Sequence, residues 1–151
     1  MSSKILIING SPSGNKGNCA RWIQQIQKEH KHFEWNVIHL ADQKYSNRLK
    51  AKMKEAEAYN FVTGTYWDSW GSPLQKFLEE ATELEGTEFF LGKPAAVLVL
   101  MHSVGGKAVL SRLQGVLNTL GCLIPPMAGM VYSLVSDLAL RSKSSHAADF
   151  W

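Results

Sequence analysis

Lys4-Ile5-Leu6-Ile7-Ile8-Asn9 runs directly into Gly10-Ser11-Pro12-Ser13-Gly14-Asn15-Lys16-Gly17-Asn18-Cys19. The first six residues form a short apolar run, three of them isoleucine, with no alternation of polar and apolar positions. Such a run, closed by Gly-Ser-Pro, suits a strand buried on both faces. Behind the loop, Cys19, Trp22, Ile23, Ile26 and His30 recur at helical spacing and form one stripe. Asn18 stands where a helix N-cap is expected. A strand covered on both sides and followed at once by a helix is the opening of a parallel sheet with right-handed crossovers.

Outward from this stretch the same unit recurs. Phe33–Leu40 is rich in β-formers, and Leu49, Met53 and Ala56 mark a short amphipathic helix after it. Ala58–Thr63 reads as a third strand, and Pro73, suited to a first helical turn, opens a stripe of Leu74, Phe77, Leu78 and Ala81. Ala95–Met101 is continuously apolar, as a central parallel strand requires. Val109, Leu110, Leu113, Val116, Leu117 and Leu120 then form a helix stopped by Gly121. Cys122–Ile124 with Met127–Tyr132 offers a fifth strand interrupted by Pro125-Pro126, and Ser133–Leu140 carries only a short helical stripe before a polar tail ending in Phe150 and Trp151. The fold class is α/β. Five strands point to a flavodoxin-like three-layer sandwich with parallel order 2-1-3-4-5. The weak last helix makes a homodimer, in which a partner chain completes the cover, an expectation.

The 151 residues, 45% hydrophobic and 19% charged, suffice for one domain, 1–151, and argue against a disordered chain. The longest apolar run, Ala95–Met101, falls far short of the ~20 residues of a membrane span. Ile5–Ile8 is too short for the core of a secretory signal, so the expected location is cytoplasmic. Sixteen Lys and Arg against thirteen Asp and Glu give +3, too mild for a nucleic-acid surface. A basic run, Lys44, Arg48, Lys50, Lys52 and Lys54, and an acidic run, Glu79, Glu80, Glu83, Glu85 and Glu88, read first as solvated helix faces. The basic run is also a candidate anion-binding edge. Cys19 and Cys122 lack metal-ligand spacing and read as reduced thiols.

Ligands of doubly wound sheets sit at the carboxyl ends of the strands where the strand order reverses, which singles out three loops. Residues 10–19 gather glycines, hydroxyls and an amide in front of a helix N-terminus, the chemistry of a phosphate cradle. It is neither a Walker loop nor a G-x-G-x-x-G turn. Residues 63–72, Thr-Gly-Thr-Tyr-Trp-Asp-Ser-Trp-Gly-Ser, place three aromatics after the third strand, suited to a flat partner. His102-Ser103-Val104-Gly105-Gly106 follows the fourth strand, where paired glycines let backbone amides approach a ligand.

These three runs in this order, over roughly residues 4–132, resemble the NADPH-dependent FMN reductase family of flavodoxin-like proteins. The resemblance implies that Ser11, Ser13, Gly17, Asn18 and Cys19 surround the phosphate of FMN. It implies that Gly64, Thr65, Tyr66 and Trp67 line the isoalloxazine, and that Ser103, Gly105 and Gly106 meet its pyrimidine edge. Tyr66, Trp67 and Trp70 are candidates for shaping a nicotinamide site. The implied activity is hydride transfer from NAD(P)H to the flavin and delivery of electrons to a quinone, azo or nitro compound, flavin or metal ion, with no protein acid or base required. The chain departs from the family pattern at Ser13, where Arg is frequent, at Cys19, where Thr or Ser is frequent, and at Gly64, where Pro is frequent. Losing a charge-assisted hydrogen bond costs about 1.5–3 kcal/mol, so weakened FMN binding is expected, with Lys16 as partial compensation. The alternatives are a flavodoxin-type electron carrier, disfavoured because carriers that dock to basic reductases are usually acidic, and a flavodoxin-like scaffold that has lost its flavin.

Overall fold

The computed structural model describes residues 3–141. The polar tail from 142 on, with Phe150 and Trp151, lies outside the described residues. The elements alternate as the periodicity requires: β1 (Lys4–Asn9), α1 (Asn18–Glu29), β2 (Glu34–His39), α2 (Asn47–Glu55), β3 (Ala58–Gly64), α3 (Ser72–Glu80), β4 (Ala95–Met101), α4 (Gly106–Leu120), β5 (Gly129–Ser133) and α5 (Leu134–Arg141). One-turn 3-10 segments occupy Gly14–Lys16 and Ala81–Leu84. The five strands form one sheet in the order β2-β1-β3-β4-β5, and every neighbouring pair is parallel.

Because side chains alternate along each strand, the sheet splits the core in two. Leu6, Ile8, Phe61, Val97 and Val99 face the larger half with Leu49 and Met53 of α2, Leu74 and Phe77 of α3 and Leu113 of α4. Ile7, Val62, Leu98 and Leu100 face the smaller half with Cys19 and Ile23 of α1. On that side Trp22 meets Tyr132 edge-on at 4.4 Å.

Several boundaries differ from the sequence reading. Asn18 is the first helical residue of α1, and Gly17 takes the cap position without any side-chain cap bond. The chain turns sharply there: a Cβ on Gly17 would lie 2.6 Å from the Ser13 Cβ. His30 ends the helix as an exposed cap residue whose carbonyl accepts from the Trp35 indole at 2.8 Å. Cys122–Ile124 does not join the fifth strand; Leu123 makes one isolated bridge with Pro94, and pairing resumes at Gly129. Two consecutive prolines, which have no N–H to give a ladder, separate the two pieces.

The charged runs find each other. Lys50 pairs with Glu83 and Lys54 with Glu88, and the bond to Lys50 holds the Glu83 carboxyl below its ordinary pKa. Lys93 donates to the carbonyls of Met53 and Lys54 at the end of α2, at 2.7 and 3.1 Å. From Lys50 onward, α2 runs away from the carboxyl ends of the strands. Lys50 and Lys54 stitch α2 to the segment after α3.

Candidate flavin site

Asn9, the last residue of β1, is fully buried at the end of an otherwise apolar strand. Its side-chain oxygen accepts from the Ser11 backbone N–H at 3.0 Å and its amide donates to the Gly14 carbonyl at 2.9 Å. These bonds fold the chain after the strand back on itself. The loop adds Gly14 N–H to Ser11 carbonyl at 3.0 Å, Lys16 N–H to Ser13 carbonyl at 3.1 Å, and Ser13 N–H to Ser11 Oγ at 3.3 Å. Gly14 has φ +53, and a Cβ there would run into the Asp42 carboxylate. That carboxylate also accepts from the Asn15 N–H at 3.0 Å. The loop ends at Gly17, whose lack of a side-chain cap leaves the first-turn amides of α1 without an intrahelical or side-chain acceptor.

The second loop is anchored at its base by Thr63, whose buried Oγ1 accepts from the Gly71 N–H at 3.1 Å and donates to the Gly64 carbonyl at 3.0 Å. At its tip, Tyr66 and Ser69 exchange backbone hydrogen bonds at 2.8 and 3.0 Å around Trp67 and Asp68. Both central residues have positive φ, 47 and 58, the signature of a type I′ turn that favours Asn-Gly. Trp67 is wholly exposed. The Tyr66 ring folds over Gly64, 3.0 Å from where a Cβ would stand, and its hydroxyl lies 3.2 Å from Ser11 Oγ. A side chain in place of Gly64 would crowd that ring.

The third loop meets the second. Gly105 caps α4 in the left-handed region, φ +85, with the Asp68 carboxylate packed against its Cα and the Thr65 methyl close by. Arg112 donates to the Asp68 carbonyl at 3.0 Å and lies 5.0 Å above the Trp70 ring. Gly106 is buried, a Cβ there being 2.5 Å from Val131 Cγ1.

Of the residues singled out from sequence, Ser11 and Tyr66 meet directly, Ser13 and Gly17 close the first loop, and Thr65 approaches Gly105. Ser103 is exposed at the third loop and Asn18 is exposed at the start of α1. Cys19 is buried at the foot of the loop, near enough to Ser11 for a hydrogen bond, and burial pushes its thiol up to about 11. Reactive cysteines carry lowered pKa values, the opposite direction. Trp70 is tied to Gln75 and Arg112, between α3 and α4, and so packs helices together. Asn9, His39 and Asp42 were not singled out from the sequence; the one visible signal was a polar residue closing the apolar run of β1.

Two features of these residues suit FMN. The Ser11 and Tyr66 hydroxyls converge beside an uncapped helix N-terminus, where a phosphate is favoured. The Thr65 hydroxyl is buried in the second loop without a hydrogen-bond partner, a polar atom that a flavin ring edge would satisfy. Among the described residues no cluster of three His, Cys, Asp or Glu side chains could hold a metal.

The family model for NADPH-dependent FMN reductase matches residues 3–133. The chain belongs to this family. By family it is an oxidoreductase with FMN as cofactor and NAD(P)H as co-substrate. No curated protein matches its sequence. Among solved structures, RosB with a bound 8-demethyl-8-formylriboflavin-5′-phosphate is 20% identical with TM-score 0.73, over 87% of this chain and 65% of RosB. The flavoenzyme FerB of Paracoccus denitrificans, an NAD(P)H:(acceptor) oxidoreductase, is 22% identical with TM-score 0.71, over 83% of this chain and 76% of FerB. The apo form of the NADH:FMN oxidoreductase EMOB is 21% identical with TM-score 0.72, over 91% of this chain and 80% of EMOB. At these identities the likeness concerns the fold. The chain spans just under two thirds of RosB and about four fifths of EMOB.

Proposed function

We propose that this chain is a single-domain FMN-dependent oxidoreductase that takes reducing equivalents from NAD(P)H and delivers them to a small acceptor, a quinone, azo or nitro compound, free flavin or metal ion. The observation that carries the reading is the convergence of Ser11 and Tyr66 beside the uncapped N-terminus of α1, between β1 and β3. In the order 2-1-3-4-5 that is where the strand order reverses, the favoured place for a ligand. FMN, when bound, supplies the two-electron chemistry. The protein supplies position: Ser11, Ser13, Gly17, Asn18 and Cys19 would hold the phosphate, and Tyr66 would line the ring system. Gly64, Thr65 and Trp67 flank the ring system, and Ser103, Gly105 and Gly106 offer the polar edge. No protein group is assigned a proton-transfer role.

A homodimer is part of the proposal. Leu123, Met127 and Met130 along the β5 edge and Val135 and Leu138 on α5 are exposed apolar side chains that a second copy would cover. A monomeric mass in solution at micromolar concentration would remove that part. Cytoplasmic action fits two cysteines that are unpaired, and no described helix is long and apolar enough to cross a membrane.

The test is an absorbance spectrum with and without FMN, followed by anaerobic NADPH. Retained flavin bands that bleach with NADPH support the reading. Flavin that is retained but not reduced directly favours an electron carrier, and protein that takes up no flavin at high FMN favours a scaffold that has lost it.

A further inference from the structure

Asn9 and His39 are register partners across β1 and β2, and the Asn9 side-chain nitrogen lies 2.9 Å from His39 Nδ1. The orientation of the Asn9 amide is fixed by its other two partners. A backbone N–H can only donate and a backbone carbonyl can only accept, so the oxygen must face Ser11 and the nitrogen Gly14. Exchanging them would set donor against donor at Ser11 and acceptor against acceptor at Gly14. The remaining N–H of the amide therefore points at His39, and His39 Nδ1 must accept. His39 in this arrangement is neutral, with its proton on Nε2.

We propose that His39 is a positioning residue for the phosphate loop. Its neutral ring anchors Asn9, and Asn9 sets the spacing between Ser11 and Gly14. A proton on Nδ1 would place N–H against N–H, and relief by turning the amide would break both bonds that shape the loop. Acidification then loosens the loop and lowers its affinity for FMN, an inference that for the flavin rests on the reading above. Histidine is the side chain whose ordinary titration falls between about pH 5 and 8.

The charged groups on the elements around His39 have other engagements or lie elsewhere. Asp42, in the turn after β2, is bonded to the Asn15 N–H. Lys16 is exposed on the 3-10 turn. On α1, Arg21 and Glu29 line a hollow with Tyr132 and Asp137, and Lys28 sits in the last turn, at the other end of the helix from the phosphate loop.

The experiment combines nitrogen-detected NMR of the histidine rings with FMN affinity, in wild type and in His39→Gln, whose carbonyl oxygen can accept from Asn9 but does not titrate. The expected result without flavin is an Nε2–H tautomer of His39 at neutral pH, with Ser11 and Gly14 amide signals that move with the His39 ring on acidification and stay still in His39→Gln. An Nδ1–H tautomer, or amides that ignore the ring, overturns the inference. With flavin, the wild-type Kd is expected to rise about tenfold more than that of His39→Gln between about pH 7.5 and 5.5. The variant also subtracts the titration of the phosphate itself. Equal pH dependence in both proteins overturns the inference and leaves the flavin reading intact. So does wild-type affinity that increases on acidification, which would make His39 a cationic phosphate ligand. If no flavin binds at any pH while the amides follow His39, the functional reading fails and the role of His39 in the loop stands.

Discussion

The first and second loops leave the same end of the sheet and are built in opposite ways. Residues 10–17 are held mainly from within, by Asn9 and by backbone bonds between Ser11, Ser13, Gly14 and Lys16, and their one positive φ falls on a glycine. Residues 64–71 add to their local bonds, Tyr66 with Ser69 and Gly71 with Thr63, the distant partners Ser11, Gly105 and Arg112, and put positive φ on Trp67 and Asp68, where a bulky residue is strained. A self-contained loop suits a constant phosphate group. A loop that carries backbone strain of order 1–3 kcal/mol per residue and exposes an indole suits contact with a variable flat partner.

The largest break in this contrast is expected at Asn9. Asn9→Leu leaves the buried Ser11 N–H and Gly14 carbonyl unpaired, a loss of about 3 kcal/mol, measurable by urea unfolding, with loss of FMN uptake. The second loop should respond in the other direction. Trp67→Asn with Asp68→Gly gives the turn its preferred residues and should raise stability by about 2 kcal/mol, read as a higher Tm, while weakening FMN or acceptor binding. A lower Tm would mean that the turn is not strained. The bond that joins the two loops is worth less: Tyr66→Phe should raise the FMN Kd about fivefold, the value of one ordinary hydrogen bond, with little change in unfolding.

How far the sequence foretold this varies with what each feature depends on. Strands, helices and sheet order follow from hydrophobic period and turn residues, which are local, so β1, β3, β4 and α4 could be read from KILIIN, the Ala58 and Ala95 runs and the Val109–Leu120 stripe. The helix cap at Gly17 and the break at Leu123 depend on a close approach to Ser13 and on proline pairing, which short-range patterns do not contain. The three loops could be picked out by their position after strands. Their mutual contacts could not, because Tyr66 reaching Ser11 spans 55 residues and Asn9 meeting His39 spans 30. The charge runs could be seen and their pairing could not.

The smallest effect concerns Cys19 at the foot of the first loop. Burial pushes the thiols of Cys19 and Cys122 up to about 11 and about 12, so the folded state keeps protons that the unfolded chain gives up near its ordinary thiol range. This contribution to stability is complete below about pH 8.5 and is lost as pH rises toward those values. Both thiols should resist a disulfide reagent at neutral pH until the protein is unfolded. A Cys19 that reacts while the protein is folded would show that the first loop opens.

The account turns on the three loops forming one flavin site, and amide chemical-shift mapping with FMN tests that most directly. The predicted result is a set of shifts confined to residues 11–19, 64–68 and 103–106. Shifts gathered instead in the hollow of about 640 Å³ between α3 and α4, lined by Trp70, Leu78, Arg112 and Val116, would contradict it.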